Sequence, residues 1–171
     1  MDEPEDSIIT HFISSLLTGN VMNKRKSNNY EKEIQKICKN HSRLHGDPLE
    51  KQFILFPIFK NRHWRLFIVA NTGSLEKYDD PFKPEAEKQF PCILHLDSYN
   101  NDPEDGEVEL IKNIMHNFSY AKLNNHCKSN ERNKMLQNYT TLWEKIECYN
   151  IKGKLCLFIN CFFLKFNECI I

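Results

Sequence analysis

Glycine and proline are scarce, five and seven in 171 residues, and no internal repeat is visible, which excludes a collagen-like, fibrous or wholly disordered chain. An excess of either charge is also missing. With 23 Lys and Arg against 23 Asp and Glu, nonspecific binding to a polyanion is not the main task, and no nucleic-acid partner is expected. No Cys-x-x-Cys pair occurs among the seven cysteines, whose number is odd and whose spacing is irregular, so neither a disulfide scaffold nor a zinc finger is indicated. Nothing approaches the ~20 consecutive apolar residues of a membrane span; the best stretch, 155–164, is broken by Asn160 and followed by Lys165. The first ten residues carry four acids and no base, wrong for a secretory signal. These absences predict a soluble chain in a reducing compartment, long enough to bury a core without disulfides or metal.

What is present is a mixture of helical and strand patterns. Apolar residues at 8, 9, 12, 13, 16 and 17 form a helical stripe. The segment 23–45 is polar and basic, with one amphipathic helix around Ile34, Ile37 and Cys38. Residues 53–59 and 64–70 read as two buried strands joined by a tight turn at Asn61 and Arg62, which favours an antiparallel pair. A polar loop follows at 74–89, then a third strand at 91–96. Val108, Ile111, Ile114, Met115 and Phe118 mark a helix. Residues 124–138 are polar and unassigned, 139–147 fit a short helix or an extended segment, and 155–166 fit a buried helix or a strand. The sum is an α+β chain read as a single unit over 1–171.

Three positions stand out chemically. His63 opens the second strand and Asp97 closes the third; if these strands are antiparallel neighbours, both residues lie at one end of the sheet. A carboxylate there fixes the tautomer of an imidazole and steadies its protonated form, giving a base with its orienter. Cys156 precedes the apolar segment, and a thiol at a helix N-terminus has its pKa lowered by the helix dipole. Other groupings are poorer. His41 and His45 have helical ligand spacing but no third ligand in view, and His116, His126, Cys127 and Cys148 match no structural zinc pattern, so no metal is expected.

The run Ile54-Leu-Phe-Pro-Ile-Phe-Lys-Asn-Arg-His-Trp-Arg-Leu-Phe-Ile-Val69, followed by Pro91-Cys-Ile-Leu-His-Leu-Asp-Ser98, resembles the ubiquitin-like protease family, the cysteine peptidases that process SUMO and release it from conjugates. The polar insertion before the Pro-Cys-Ile-Leu strand is similar to the long-insert branch of that family. The stripe at 6–17 resembles the family's first helix.

This resemblance implies a papain-like fold with a short antiparallel or mixed sheet flanked by helices. It also implies His63 as general base, Asp97 as its orienter, and Trp64 as an aromatic residue beside the substrate channel. The family's Gln-x5-Cys-Gly arrangement maps to Asn150 as oxyanion donor and Cys156 as nucleophile. Gln is replaced by Asn150, the preceding Asp by Leu155 and the following Gly by Leu157. A gapless continuation from Lys145 would instead set Leu155 at the nucleophile position. The chain is short for the family, with the shortfall beside that residue.

The implied activity is hydrolysis at the C-terminal glycine of a SUMO-like modifier, with no cofactor. The implied partner is SUMO or another ubiquitin-like protein and its conjugates, in the nucleus or cytoplasm. The alternative is a catalytically impaired relative that still binds a ubiquitin-like protein.

Overall fold

The computed structural model describes residues 10–14, 17–19, 21, 29–72, 91–97, 99–126 and 129–152. The segments 74–89 and 155–166, and with them Leu155, Cys156 and Leu157, lie outside the described residues. Among the described residues, five strands form one sheet in the order of the chain: β1 (Thr10–Phe12), β2 (Phe53–Lys60), β3 (His63–Ala70), β4 (Cys92–Asp97) and β5 (Cys148–Ile151). Among the described residues, the long helices beside them are α1 (Tyr30–His45), α2 (Glu107–His126) and α3 (Ser129–Lys145). The middle strands β2, β3 and β4 are antiparallel, while β1 joins β2 and β5 joins β4 in parallel, so the sheet is mixed and the class α+β, as the sequence indicates.

The β2–β3 hairpin turns on two residues, Asn61 and Arg62, at φ of 54° and 60°. Positive φ at both central positions is what a two-residue turn needs to match the twist of its strands. This turn fixes the register, with Lys60 opposite His63 and Phe56 opposite Phe67. Pro57 lies beyond the β1 pairing, which ends at Leu55, so the missing N–H falls where the strand tolerates it. Helix α1 carries Glu31 and Glu33 in its first turn and Arg43 and His45 in its last, both favourable to the helix dipole, and ends at Gly46 with φ 83°.

One sheet face is dry. Ile54, Phe56, Ile58, Phe67, Val69 and Ile93 meet Ile34 and Cys38 of α1, Leu110, Ile111, Ile114 and Phe118 of α2, and Leu142 and Trp143 of α3. The other face holds a smaller cluster around Leu66 and Leu96, with Leu55, Trp64, Ile68, Leu94 and Ile151 against it.

Three sequence expectations are corrected. Within the helix expected over 8–17, residues 10–12 instead form strand β1, in which His11 is buried and Thr10 exposed, and Ile13 just beyond it is buried. The helical stripe there loses to the open edge of β2, whose backbone needs partners that periodicity does not count. The helix seen as Val108 to Phe118 runs on to His126, and the unassigned polar stretch after it is α3. Helix α3 buries only a narrow stripe, chiefly Tyr139, Leu142 and Trp143, and the indole Nε1 donates to Ser119 Oγ of α2 at 2.9 Å. Strand β5 was not anticipated, since four residues are too few for a period to show.

Candidate active site

His63 is the first residue of β3 and Asp97 the last of β4. Antiparallel pairing sets Arg65 opposite Asp97, so the start of β3 and the end of β4 share one end of the sheet. There His63 Nε2 donates to Asp97 Oδ2 at 2.8 Å. Alternation puts His63, Arg65 and Asp97 on the helix-facing side of the sheet. Trp64 points to the other side, half-buried, with its ring 4.8 Å from that of Phe59.

Asp97 is fully buried and receives two further hydrogen bonds, from Arg65 Nε to Oδ2 at 3.0 Å and from the Tyr99 amide to Oδ1 at 2.6 Å. Burial alone would raise its pKa. The His63 bond, the Tyr99 amide and Arg65 together outweigh that cost and hold the carboxyl below the usual carboxylate range, so it stays ionised.

Arg65 is itself only 7% exposed and spreads its guanidinium over three carboxylates. Besides Asp97, Nη1 donates to Glu107 Oε1 at 2.7 Å and Nη2 to Glu104 Oε1 at 2.6 Å. Lys60 pairs with Glu104 from the far side of the hairpin. Glu107 opens α2 and turns its second oxygen to the Glu104 amide at 2.9 Å, closing the helix start in the manner of a capping box. The Tyr99 ring stacks on His63, centroids 4.6 Å and planes 19° apart.

Asn150 lies in β5, opposite His95 of β4. Its Oδ1 meets His95 Nδ1 at 3.2 Å, while Nδ2 donates to the Asn101 carbonyl at 3.3 Å and to the Asp102 carboxylate. Both amide hydrogens thus address the loop that follows Asp97. Because β5 runs parallel to β4, with Ile151 abreast of Leu96, the chain leaves β5 at the end of the sheet where His63 and Asp97 stand.

Arg65, Tyr99, Glu104, Glu107 and His95 did not emerge from the sequence. The available signals were local: an Arg two residues after a strand-borne His shares its face, and glutamates three apart before an apolar run suggest a helix start. Elsewhere, His41 finds a partner that the sequence hid: its Nε2 lies 2.8 Å from His11 Nε2, with the His45 ring 4.8 Å away. Among the described residues, no three His, Cys, Asp or Glu side chains are grouped to hold a metal ion. No described helix is long and apolar enough to cross a membrane.

No protein-family model matches the chain. It is 30% identical over 105 residues, 61% of its length, to a probable ubiquitin-like-specific protease 2A of Arabidopsis thaliana. It is 29% identical over 72 residues, 42% of its length, to a probable ubiquitin-like-specific protease 2B of the same organism. These matches span 12% and 7% of the two relatives' own lengths. Among solved structures, the crystal structure of a de-sumoylating protease superposes with a TM-score of 0.51 at 17% identity, covering 82% of this chain and 55% of that one. The likeness in structure concerns the fold alone. With a mixed sheet that sets the His-Trp strand beside the strand ending in Asp, this chain is similar in part of its sequence to two probable ubiquitin-like-specific proteases and shares the fold of a de-sumoylating protease.

Proposed function

We propose that the chain is a cysteine-type peptidase that cleaves after the C-terminal glycine of a SUMO-like modifier, at a peptide or an isopeptide bond. The observation that carries this reading is the 2.8 Å contact of His63 with the buried Asp97, at the end of the sheet where β5 releases the chain toward Cys156. Cys156 follows Lys152 by four positions in the sequence, a reach of at most ~14 Å.

In this reading Asp97 holds His63 through Nε2, which makes Nδ1 the nitrogen that takes the Cys156 thiol proton. The thiolate adds to the scissile carbonyl, the C–N bond breaks, and the imidazolium returns its proton to the leaving amine. Water then hydrolyses the thioester and restores the thiol. Asn150, with a backbone amide, stabilises the oxyanion; for this its Nδ2 exchanges the Asp102 carboxylate for the developing charge. Trp64, expected beside the substrate channel, lies on the face of β3 opposite His63 and packs on Phe59, so its part in this reading is to brace the strand that carries His63.

One observation favours a second reading, a relative that binds the modifier without turnover. Asn150 is one methylene shorter than the family's Gln, and its amide hydrogens are engaged by Asn101 and Asp102. An electrophilic probe built on the SUMO C-terminus separates the two. The peptidase reading expects covalent labelling of Cys156, abolished by His63→Ala. Absence of labelling while SUMO still binds would sink it in favour of the second reading.

A further inference from the structure

We propose that Arg65 is a positioning residue of this site: its guanidinium, holding Asp97, Glu104 and Glu107 at once, fixes the carboxylate that His63 addresses and ties it to the start of α2. The inference rests on the peptidase reading for its consequence in rate, and on geometry alone for its consequence at His63.

Three features set this arginine apart from an ordinary structural ion pair. Its Nε shares the oxygen that His63 uses, Oδ2, rather than the other oxygen, which the Tyr99 amide occupies. A carboxylate with three donors spread over both oxygens cannot rotate or swing without breaking one of them. The guanidinium also gives each of its three nitrogens a different acid, a fork that a lysine cannot reproduce. Finally, Asp97, with no exposed surface, sits close to two further acids, and the guanidinium places a positive centre between them. An ionised Asp97 dictates that the proton of neutral His63 resides on Nε2, and hence which nitrogen faces the thiol.

Arg65 touches neither thiol nor modifier in this scheme, so its loss acts on the chemical step and not on binding. Removing it alone strands three carboxylates and threatens the fold. The informative variants are therefore Arg65→Lys and the double change Arg65→Met with Glu107→Gln, made in the full chain. Two experiments decide: kinetics with the SUMO-based probe, giving maximal rate and half-saturating concentration, and long-range proton–nitrogen NMR at neutral pH, giving the His63 tautomer. The double variant should react ~100-fold more slowly, the effect of an ångström-scale misplacement, with half-saturation unchanged within about 2-fold. Arg65→Lys should fall between, about 10-fold down, since the charge returns without the fork. The His63 ring should carry its proton on Nε2 in the parent and be divided between the Nε2–H and Nδ1–H tautomers in the variants.

A folded double variant with the parental rate and tautomer would overturn the proposal. If only the lysine variant folds, parental rate and tautomer in it do the same. If the parent itself shows no labelling, the peptidase reading fails; an unchanged tautomer in the variants then still refutes Arg65 as a positioning residue, and a mixed one supports it.

Discussion

The phenol ring of Tyr99 lies flat against the imidazole of His63, while its own backbone amide holds the far oxygen of Asp97. Tyr99 is 73% exposed, so its ring adds little to the core, and its contact is with the base. Stacking of this kind is worth about 0.5–1.5 kcal/mol. Tyr99→Ala should therefore slow labelling by the SUMO probe up to ~10-fold and lower unfolding free energy by no more than about 1.5 kcal/mol. Tyr99→Phe, which keeps ring and amide, should match the parent in both. A stability loss in the alanine variant with labelling untouched would remove Tyr99 from the site.

Asp97→Asn is nearly isosteric but leaves Arg65 and His63 facing a neutral amide. Breaking a buried charge network in this way costs ~3–5 kcal/mol at neutral pH, and loss of the orienting carboxylate in a catalytic triad lowers the rate by about 10⁴. The pH dependence has a definite sign. The folded pKa of Asp97 lies below its unfolded value, so its stabilisation is present above the unfolded value near pH 4 and is lost as pH falls through the folded one. The gap in urea stability between parent and variant should be widest at neutral pH and close below about pH 4. A gap that stays constant through that range would show that Asp97 is not tied to its partners as an ion.

The parts of the fold that sequence reveals are those where one short stretch decides the outcome. Strands β2, β3 and β4 are long apolar runs with a turn between the first two, and their antiparallel order already brings His63 and Asp97 together. Arg65 escapes because its strand is apolar on both sides of it, so alternation does not say which face is dry, and its partners lie 32 to 42 residues away. Strand β1 is set by the vacant edge of β2 and not by its own pattern, and Asn150 is recognisable as a match to the family's glutamine without any hint that Asp102 holds it. In each case the deciding partner is distant in the chain.

The His11–His41 contact joins β1 to α1 through a hydrogen bond that needs at least one neutral ring. Burial first, then the nearby His11 and His45, push His41 down to about 4. His11 is lowered as well, by burial and by His45 and Lys51, with Asp47 opposing. The unfolded rings titrate near 6.5, so between about pH 6.5 and 4 the unfolded chain binds more protons and stability declines as pH falls. His41 should account for ~1–2 kcal/mol of that decline, less than its full shift implies because the ring is only half-buried. Urea unfolding at pH 7.5 and pH 5 should show a smaller loss in His41→Gln than in the parent. His95 and His116, also lowered by burial, keep the variant from becoming flat. An equal loss in both proteins would mean that the pair does not titrate with folding.

The seven cysteines divide by chemistry as well as by position. Cys38 has no exposed surface, its Sγ points to the Ile114 carbonyl at 3.9 Å, and burial pushes its thiol up to about 12. At pH 8 only about one molecule in 10⁴ carries the Cys38 thiolate, which is the reactive form. Cys92 and Cys148 are half-buried, and burial raises both. Under the proposed mechanism Cys156 alone has a base beside it. Brief exposure of the native chain to iodoacetamide, read by peptide mass spectrometry, should modify Cys156 first, Cys92 and Cys148 slowly, and Cys38 only after unfolding in urea. His63→Ala should bring Cys156 down toward the rate of an ordinary thiol while leaving Cys38 protected. Native labelling of Cys38 at the rate of Cys92 would contradict its place between α1 and α2, and a Cys156 rate indifferent to His63 would separate the thiol from its assigned base.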